Sequence, residues 1–537
     1  MKNSIIKTNI KRFFNSKLLV LSMLAFIVIS VGYMIYKLIE DIMFEDTLFQ
    51  YIFALWKTNE ISIYSFAFFT FISFEFSTEL YRSKLYETVL CTPKKLKSLC
   101  ISNICIMSLW NVFYCVVLLV YNCYAFLSLH EFDKVYLIHI FINIAVNFFL
   151  VNTFAICFGQ AVTFFKKKIY SYLTILIFLI AVSPIGNEIA LTVALATDNL
   201  INPYKIYNFL DIFTPNLGFT PTFAMGFSVL PYRTYLLLFW IFLMIAITAF
   251  FTKRKKSDLK PIIAFTISII MAISFLLPDS RVVLGDDPNG EAYADQFYYF
   301  DISEDLDIYE TANFNVEKYG IDLKINRKLN AEVTLYPDKE LSEYSFTLYH
   351  GYTVKSVTDQ NQKKLNFTRD GDYLTINECD GVTAITIKYS GSGKGFYSNY
   401  QGTYLPGDFP YYPIAGKQQV FNEYCYIPVL PENIPYFEIS INSNLTIYSN
   451  LDSVGENTFS GETKVPCIFS GLFYREKEYK GSRIIYPYLF AEYDDNFDLL
   501  AEMVVVDEDY NKTIFLEPNT NVSWKDSIRE YENVALW

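Results

Sequence analysis

Histidine is nearly missing from this sequence: only His130, His139 and His350 occur among 537 residues. Catalysis that leans on imidazole, as base or as zinc ligand, has few parts to draw on, and residues 279–537, with His350 alone, cannot assemble a two-His zinc site. Nine Cys are too sparse for a disulfide scaffold. Cys379, Cys425 and Cys467 follow no metal-module spacing and read either as separate buried thiols or as one disulfide with a thiol left over. No G-x-x-x-x-G-K-[ST] loop is present, since Gly391-Ser392-Gly393-Lys394-Gly395 lacks both the spacing and the hydroxyl residue. No His-Glu-x-x-His occurs either. The expectation is a chain with no catalytic residue, no metal and no cofactor of its own, unable to hydrolyse ATP or peptide by itself. Charged residues make up only 19% and the net charge is −12, which excludes a nucleic-acid footprint.

What is abundant is apolar surface: 52% of residues are hydrophobic and 18% aromatic, more than a soluble domain needs. The excess is confined to one part of the chain. Residues 1–278 carry 23 Lys and Arg against 14 Asp and Glu, while residues 279–537 carry 21 against 42. Apolar runs of about membrane-spanning length lie at 19–36, 61–80, 101–127, 136–164, 169–184, 234–252 and 261–277, all in the first part. Eighteen of its 23 basic residues fall in the N-terminus and in alternate connections, around Arg82–Lys97, Lys166–Lys168 and Lys253–Lys260. Basic residues flanking spans stay on the cytoplasmic side. The pattern therefore predicts seven spans with a cytoplasmic N-terminus, a multi-pass protein of the cell membrane, and an extracellular C-terminal domain.

Within this α-helical polytopic membrane domain, residues 1–17 read as an amphipathic elbow helix. Ile5, Ile6, Ile10, Phe13 and Phe14 recur at helical spacing opposite Lys7 and Lys11; an ordinary basic flank is the alternative. Residues 18–278 form the span-containing domain. Pro184, Gly186 and Glu188 interrupt one apolar stretch, and Pro203, Pro215, Gly218, Pro221 and Gly226 the next, as in re-entrant helices or a plain outer loop. Glu75 and Glu79 lie one helical turn apart near a span end. A carboxylate facing lipid is costly, so they should face a partner helix, basic residues or a water cavity.

Residues 279–537 change to strand periodicity. Tyr319, Ile321, Leu323 and Ile325 share one face, as do Thr383, Ile385, Ile387 and Tyr389, and then Phe437, Ile439 and Ile441. Gly and Pro punctuate these runs, which predicts an all-β extracytoplasmic domain, an antiparallel sandwich or saddle.

The stretch Glu79-Leu80-Tyr81-Arg82-Ser83-Lys84-Leu85-Tyr86-Glu87-Thr88-Val89-Leu90-Cys91-Thr92-Pro93-Lys94-Lys95-Leu96-Lys97 resembles the first cytoplasmic loop of type-2 ABC exporter permeases. There a short charged helix transmits force from a separate ATPase, and a proline such as Pro93 would end it sharply. Leu85 stands where many members have Gly. The resemblance implies a coupling loop made by Arg82, Lys84, Glu87, Thr92, Pro93 and Lys94. It also implies cytoplasmic ABC ATPase subunits that bind ATP and Mg, and a second permease copy or paralogue as partner.

A second resemblance lies in residues 313–487, which look like the N-terminal β-saddle domain of the aminopeptidase N family of gluzincins. It is carried by Tyr319-Gly320-Ile321-Asp322-Leu323, Asp372-Tyr373-Leu374-Thr375-Ile376, Ile385-Thr386-Ile387-Lys388-Tyr389-Ser390-Gly391 and, most sharply, Gly402-Thr403-Tyr404-Leu405-Pro406-Gly407-Asp408-Phe409-Pro410-Tyr411-Tyr412-Pro413. Tyr404, Leu405, Pro406, Tyr411, Tyr412 and Pro413 are taken as a surface motif of this domain. The zinc helix of that family has no counterpart, so the resemblance implies a peptide-friendly β-scaffold. The leading expectation is thus the permease subunit of an ATP-driven exporter that moves a peptide or other amphipathic cargo outward. The alternative is a membrane-anchored peptide-binding or sensory protein without transport activity. The acidic outer part favours a cationic peptide as partner.

Overall fold

The computed structural model describes residues 2–44, 52–82, 95–165, 167–197, 207–213, 224–227, 231–252, 259–276, 298–299, 310–393, 395–422, 425–489, 497–505, 510–518, 522 and 524–537. The chain divides into two compact units. Unit 1 holds residues 1–221 and 227–278, and unit 2 holds 222–226 and 279–537.

Unit 1 is helical. Its elements are α1 (Lys2–Asn15), α2 (Lys17–Phe44), α3 (Phe53–Glu60), α4 (Ser62–Arg82), α5 (Lys95–Leu129), α6 (Lys134–Ile144), a π-helical segment (Ala145–Leu150), α7 (Val151–Ala161), α8 (Lys168–Val182), α9 (Pro184–Ala196), α10 (Pro231–Thr252) and α11 (Lys260–Leu276). Each predicted apolar run is largely helical over its described residues. Among the described residues five stretches are long and apolar enough to cross a membrane, Lys17–Glu40, Phe53–Glu79, Leu96–Ser128, Lys134–Phe164 and Tyr232–Thr252. The pair α8 and α9, bent by 71°, makes a sixth if counted as one span, and α11 is shorter at 17 residues. Pro184 opens α9, where its missing N–H would have had no partner in any case.

Within unit 1, α1 packs through one face and leaves part of its apolar stripe uncovered. Asn9 and Phe13, four residues apart, are sealed, whereas Ile10 and Phe14 are exposed. Asn9 donates to Ser102 Oγ and Asn103 Oδ1 of α5, and Phe13 meets Phe76 of α4 edge-on. Elsewhere helices touch at backbone distance. A Cβ added to Gly159 of α7 would stand 2.4 Å from the Thr70 carbonyl of α4, so only glycine allows this approach.

Unit 2 is sheet-rich. Its strands in chain order are β1 (Val316–Ile325), β2 (Leu329–Pro337), β3 (Glu343–Thr347), β4 (Tyr352–Asp359), β5 (Asn366–Asp370), β6 (Tyr373–Asn377), β7 (Ile385–Gly391), β8 (Ser398–Asn399), β9 (Gly402–Leu405), β10 (Ile414–Ala415), β11 (Phe421–Asn422), β12 (Cys425–Tyr426), β13 (Tyr436–Asn442), β14 (Asp452–Gly455), β15 (Thr458–Glu462), β16 (Ile468–Gly471), β17 (Tyr474–Tyr479), β18 (Ser482–Pro487), β19 (Thr513–Phe515), β20 (Arg529–Glu530) and β21 (Val534–Leu536). The largest sheet has the order β14-β15-β13-β1-β2-β7-β4, and a five-stranded sheet near the C-terminus runs β17-β18-β19-β21-β20.

The sheets are mixed rather than antiparallel throughout: β1 lies parallel to β13, and β19 parallel to both β18 and β21. Nor is the unit wholly β, because α12 (Phe497–Val504) follows β18. The parallel register sets Tyr319 opposite Phe437, and the two rings stack at 5.0 Å with Tyr412 edge-on to both. Alternation is clean through β13 and from Tyr319 to Ile325 of β1, whereas a register shift between Val316 and Lys318 breaks it at the start of β1. Thr383, assigned by parity to the buried face of β7, precedes that strand and is exposed.

Candidate functional site

The six residues taken as a surface motif are core residues. Tyr404, Leu405, Tyr411 and Tyr412 are at most 1% exposed, and Pro406 and Pro413 are buried with them. The physical reason is tight backbone packing: a Cβ on Gly407 would lie 2.3 Å from the Val465 carbonyl carbon, which leaves the segment no room to stand away from its neighbours. Its polar groups are answered internally. Tyr411 Oη donates to the Pro466 carbonyl at 2.8 Å, and Tyr404 Oη donates to Glu517 Oε1 at 2.7 Å.

Within that segment Asp408, itself fully buried, pairs with Arg529 of β20. Arg529 Nε donates to Asp408 Oδ2 at 2.6 Å, and its Nη2 donates to Glu517 Oε1 at 2.6 Å. Tyr531 Oη donates to Asp408 at 2.8 Å, and the guanidinium lies 3.8 Å over the Trp524 ring. Two carboxylates thus share one guanidinium away from water. Burial, helped by the Asp408 charge, raises the Glu517 carboxyl above its ordinary value while Arg529 pulls it down. The pair holds Arg529 charged, shifting its pKa upward against the cost of burial. Sequence reading quoted Asp408 inside the motif without assigning it a role and missed Arg529 and Glu517. The available signal was a charged residue inside an otherwise aromatic and Pro-rich run, which demands a partner once buried.

The strand that carries Arg529 has a second face. Glu530 is exposed and accepts from Lys512 Nζ at 2.8 Å, and Lys512 also donates to the Tyr531 carbonyl at 2.6 Å. Lys512 also lines a polar cleft of about 280 Å³, together with Asp452 and Glu462, Arg483, Asn450 and Asn533. The cleft lies where the start of β14 and the end of β15 meet β18 and β19. Asn450 and Asn533 are tied to its walls, Asn450 Nδ2 donating to the Val465 carbonyl and Thr463 Oγ1 to Asn533 Oδ1. Arg483 is held by Glu476 at 2.9 Å. β14 is an edge strand with every residue exposed, so its backbone offers groups for pairing.

His350 is held by Asp372, which accepts from its backbone N–H at 2.6 Å and lies 3.2 Å from Nδ1, while Tyr298 stacks on the imidazole at 3.7 Å. In unit 1, Glu75 pairs with Lys168 Nζ at 3.0 Å and accepts from Tyr172 Oη. Glu79 keeps one buried carboxylate oxygen without a hydrogen-bond partner among the described residues, near enough to Arg12 to act on its charge. Of the loop assigned to coupling, Arg82 ends α4; Lys84, Glu87, Thr92, Pro93 and Lys94 lie outside the described residues. Cys379, Cys425 and Cys467 are free thiols.

Comparison with known proteins gives no matching family model and no matching curated protein. Solved structures do match. Yeast LTA4 hydrolase aligns at a TM-score of 0.28 and 16% identity over 42% of this chain and 40% of its own. An M1 zinc metallopeptidase from Deinococcus radiodurans aligns at 0.26 and 12%, over 42% of this chain and 61% of its own. Legionella pneumophila aminopeptidase A aligns at 0.29 and 15%, over 43% of this chain and 31% of its own. The chain therefore spans less than two thirds of the length of each. These neighbours are peptidases and a hydrolase, and the exporter-permease reading is corrected on that finding, together with its transporter terms and the statement that the chain is not an enzyme. The ATPase partners, their ATP and Mg, and the second permease copy rest on the exporter resemblance alone.

The zinc named in these neighbours does not fit the described residues of this chain. No three His, Cys, Asp or Glu side chains converge among them, and His350, the one imidazole of residues 279–537, is committed to Asp372 and Tyr298. No step through zinc follows from this arrangement.

Proposed function

We propose that this is a membrane-anchored, peptidase-like protein that holds polypeptide on its β unit. The observation that carries the reading is the polar cleft beside edge strand β14. An extended peptide presents alternating N–H and C=O groups, which an unpaired strand edge can match, and both charge signs in the adjoining cleft can meet its polar side chains or its terminus. The solved structures that align with the chain act in the same sense, since several are named as aminopeptidases. The apolar helices of unit 1 supply the anchor, and the distribution of basic residues supports a β unit outside the cell membrane. With 42 acidic against 21 basic residues in 279–537, the outer part draws cationic peptides in preference to anionic ones, an effect that salt weakens.

The test uses the full chain in lipid nanodiscs, titrated with fluorescent cationic and anionic peptides of matched length at low and physiological salt. Aminopeptidase turnover is followed in the same samples with and without added zinc. Binding that favours the cationic peptide and weakens in D452K is expected. Absence of binding by either peptide, or binding indifferent to that substitution, overturns the reading.

A further inference from the structure

The helices of unit 1 bury many amide and hydroxyl side chains, and most satisfy one another. Asn103 donates to Ser77 and Gln160, and Asn152 donates to Asn111 while accepting from Ser65. One group differs. Asn147, inside the π-helical segment, donates to Asn59 Oδ1 at 3.3 Å and accepts from Arg233 Nη1 at 3.0 Å. Arg233 is 2% exposed and also donates to the carbonyls of Ile212, at 3.2 Å, and Phe213. Around this junction Asn59 Nδ2, Ser62 Oγ and both polar atoms of Asn143 are sealed from solvent and make no hydrogen bond among the described residues. Asn59, Ser62 and Asn143 are each at most 1% exposed. Asn143 precedes Asn147 by one turn and Ser62 follows Asn59 by three residues, so the uncommitted groups flank the two residues that the Asn147–Asn59 bond joins.

We propose that Asn59, Ser62, Asn143 and Arg233 form a binding site for a monoanionic oxyanion, a carboxylate or the phosphodiester of a lipid headgroup. The uncommitted groups are chiefly donors, two amide NH₂ groups and a hydroxyl. Donors beside a guanidinium suit an acceptor-only oxygen pair. The Asp211 carboxylate also acts on Arg233, so the local positive charge is shared, which favours one negative charge on the ligand over two. Asn143 Oδ1, the remaining acceptor, takes a hydroxyl or amide hydrogen of the same molecule. The π-helical turn fits this role, since such segments widen a helix and re-aim its side chains, and they recur at functional sites. The site lies in unit 1 and does not depend on the peptide reading of the β unit.

The experiment follows thermal unfolding of the full chain, purified in detergent, against three probes: acetate, phosphatidylglycerol and uncharged diacylglycerol. A ligand that binds only the folded state raises the midpoint with its concentration. The wild type is expected to respond to acetate or to phosphatidylglycerol and not to diacylglycerol. A response to acetate alone identifies a free carboxylate, and a response to phosphatidylglycerol alone a lipid headgroup. N143L should lose the response while keeping its probe-free midpoint, because it exchanges an unpartnered buried amide for an apolar group of the same shape. S62A serves as the second variant should N143L fail to fold, and is expected to lose most of the response. No response to either anion, or an equal response in wild type and variants, means the cluster is merely hydrated and overturns the proposal.

Discussion

Asp408 and Arg529 meet at 2.6 Å across 121 positions of sequence, with both side chains all but sealed from solvent. The contact joins the aromatic segment to the C-terminal strands, and Glu517, Tyr404, Tyr531 and Trp524 complete it.

Breaking this cluster at its centre should be severe. R529M strands the buried Asp408 and the mostly covered Glu517 and is expected to cost unit 2 about 3–5 kcal/mol, the range for removing one partner of a buried pair. D408N leaves Arg529 with Glu517 and should cost less. Chemical denaturation followed by Trp524 fluorescence ranks the two, and an R529M variant as stable as D408N contradicts the shared-guanidinium geometry.

The raised Glu517 carboxyl has a pH signature. A carboxyl whose folded pKa exceeds its unfolded value of 4.5 binds more protons in the folded state between those two limits. Its contribution to stability is therefore present below pH 4.5 and is lost as pH rises through the raised value. E517Q should flatten that slope. Stability measured at intervals from pH 4 upward in wild type and variant checks the sign, and a wild-type term that grows with pH refutes it.

Gly407 offers a steric test. G407A drives a methyl into the Val465–Pro466 backbone and should destabilise unit 2 by about 1–3 kcal/mol, as overpacking does. By contrast G320A, whose Cβ would meet nothing nearer than 3.9 Å, should leave the melting midpoint nearly unchanged.

Thiol labelling reads burial and sidedness together. Cys467 is sealed and burial pushes its thiol well up, and burial pushes the Cys379 thiol up to about 11, so both should resist maleimide in the folded protein. Cys425, partly exposed, should react. In a variant retaining Cys425 alone, a membrane-impermeant maleimide should label intact cells, whereas labelling only after lysis places the β unit on the cytoplasmic side.

Helix positions were legible because lipid-like runs of Leu, Ile and Phe announce themselves by composition, and β1 and β13 because alternation marks a half-buried strand. The second apolar run nevertheless has α3 in front of it, with Lys57, Thr58, Asn59 and Glu60 diluting the hydropathy there. Asn147, Asn143 and Arg233 were hidden for the same reason. Single polar residues scattered through apolar helices leave no local pattern, and only packing shows that they meet. The segment at 404–413 is read as a surface motif through its resemblance to the aminopeptidase N saddle, yet ring stacking and the Asp408 pair bring it inside. No local rule links Asp408 to Arg529, since their contact exists only once two sheets have formed.

The parallel pairing of β1 with β13 carries a consequence for biosynthesis. Tyr319 finds Phe437, its stacking partner, 118 residues further along the chain. The central sheet therefore cannot close until synthesis has passed Asn442, and contacts of such separation are slow to form because a long loop must be ordered before they repay it. Throughout that interval Tyr319, Tyr411 and Tyr412 lack the partners that cover them in the folded unit, so apolar surface stays open to aggregation for longer than a hairpin-built sheet would leave it.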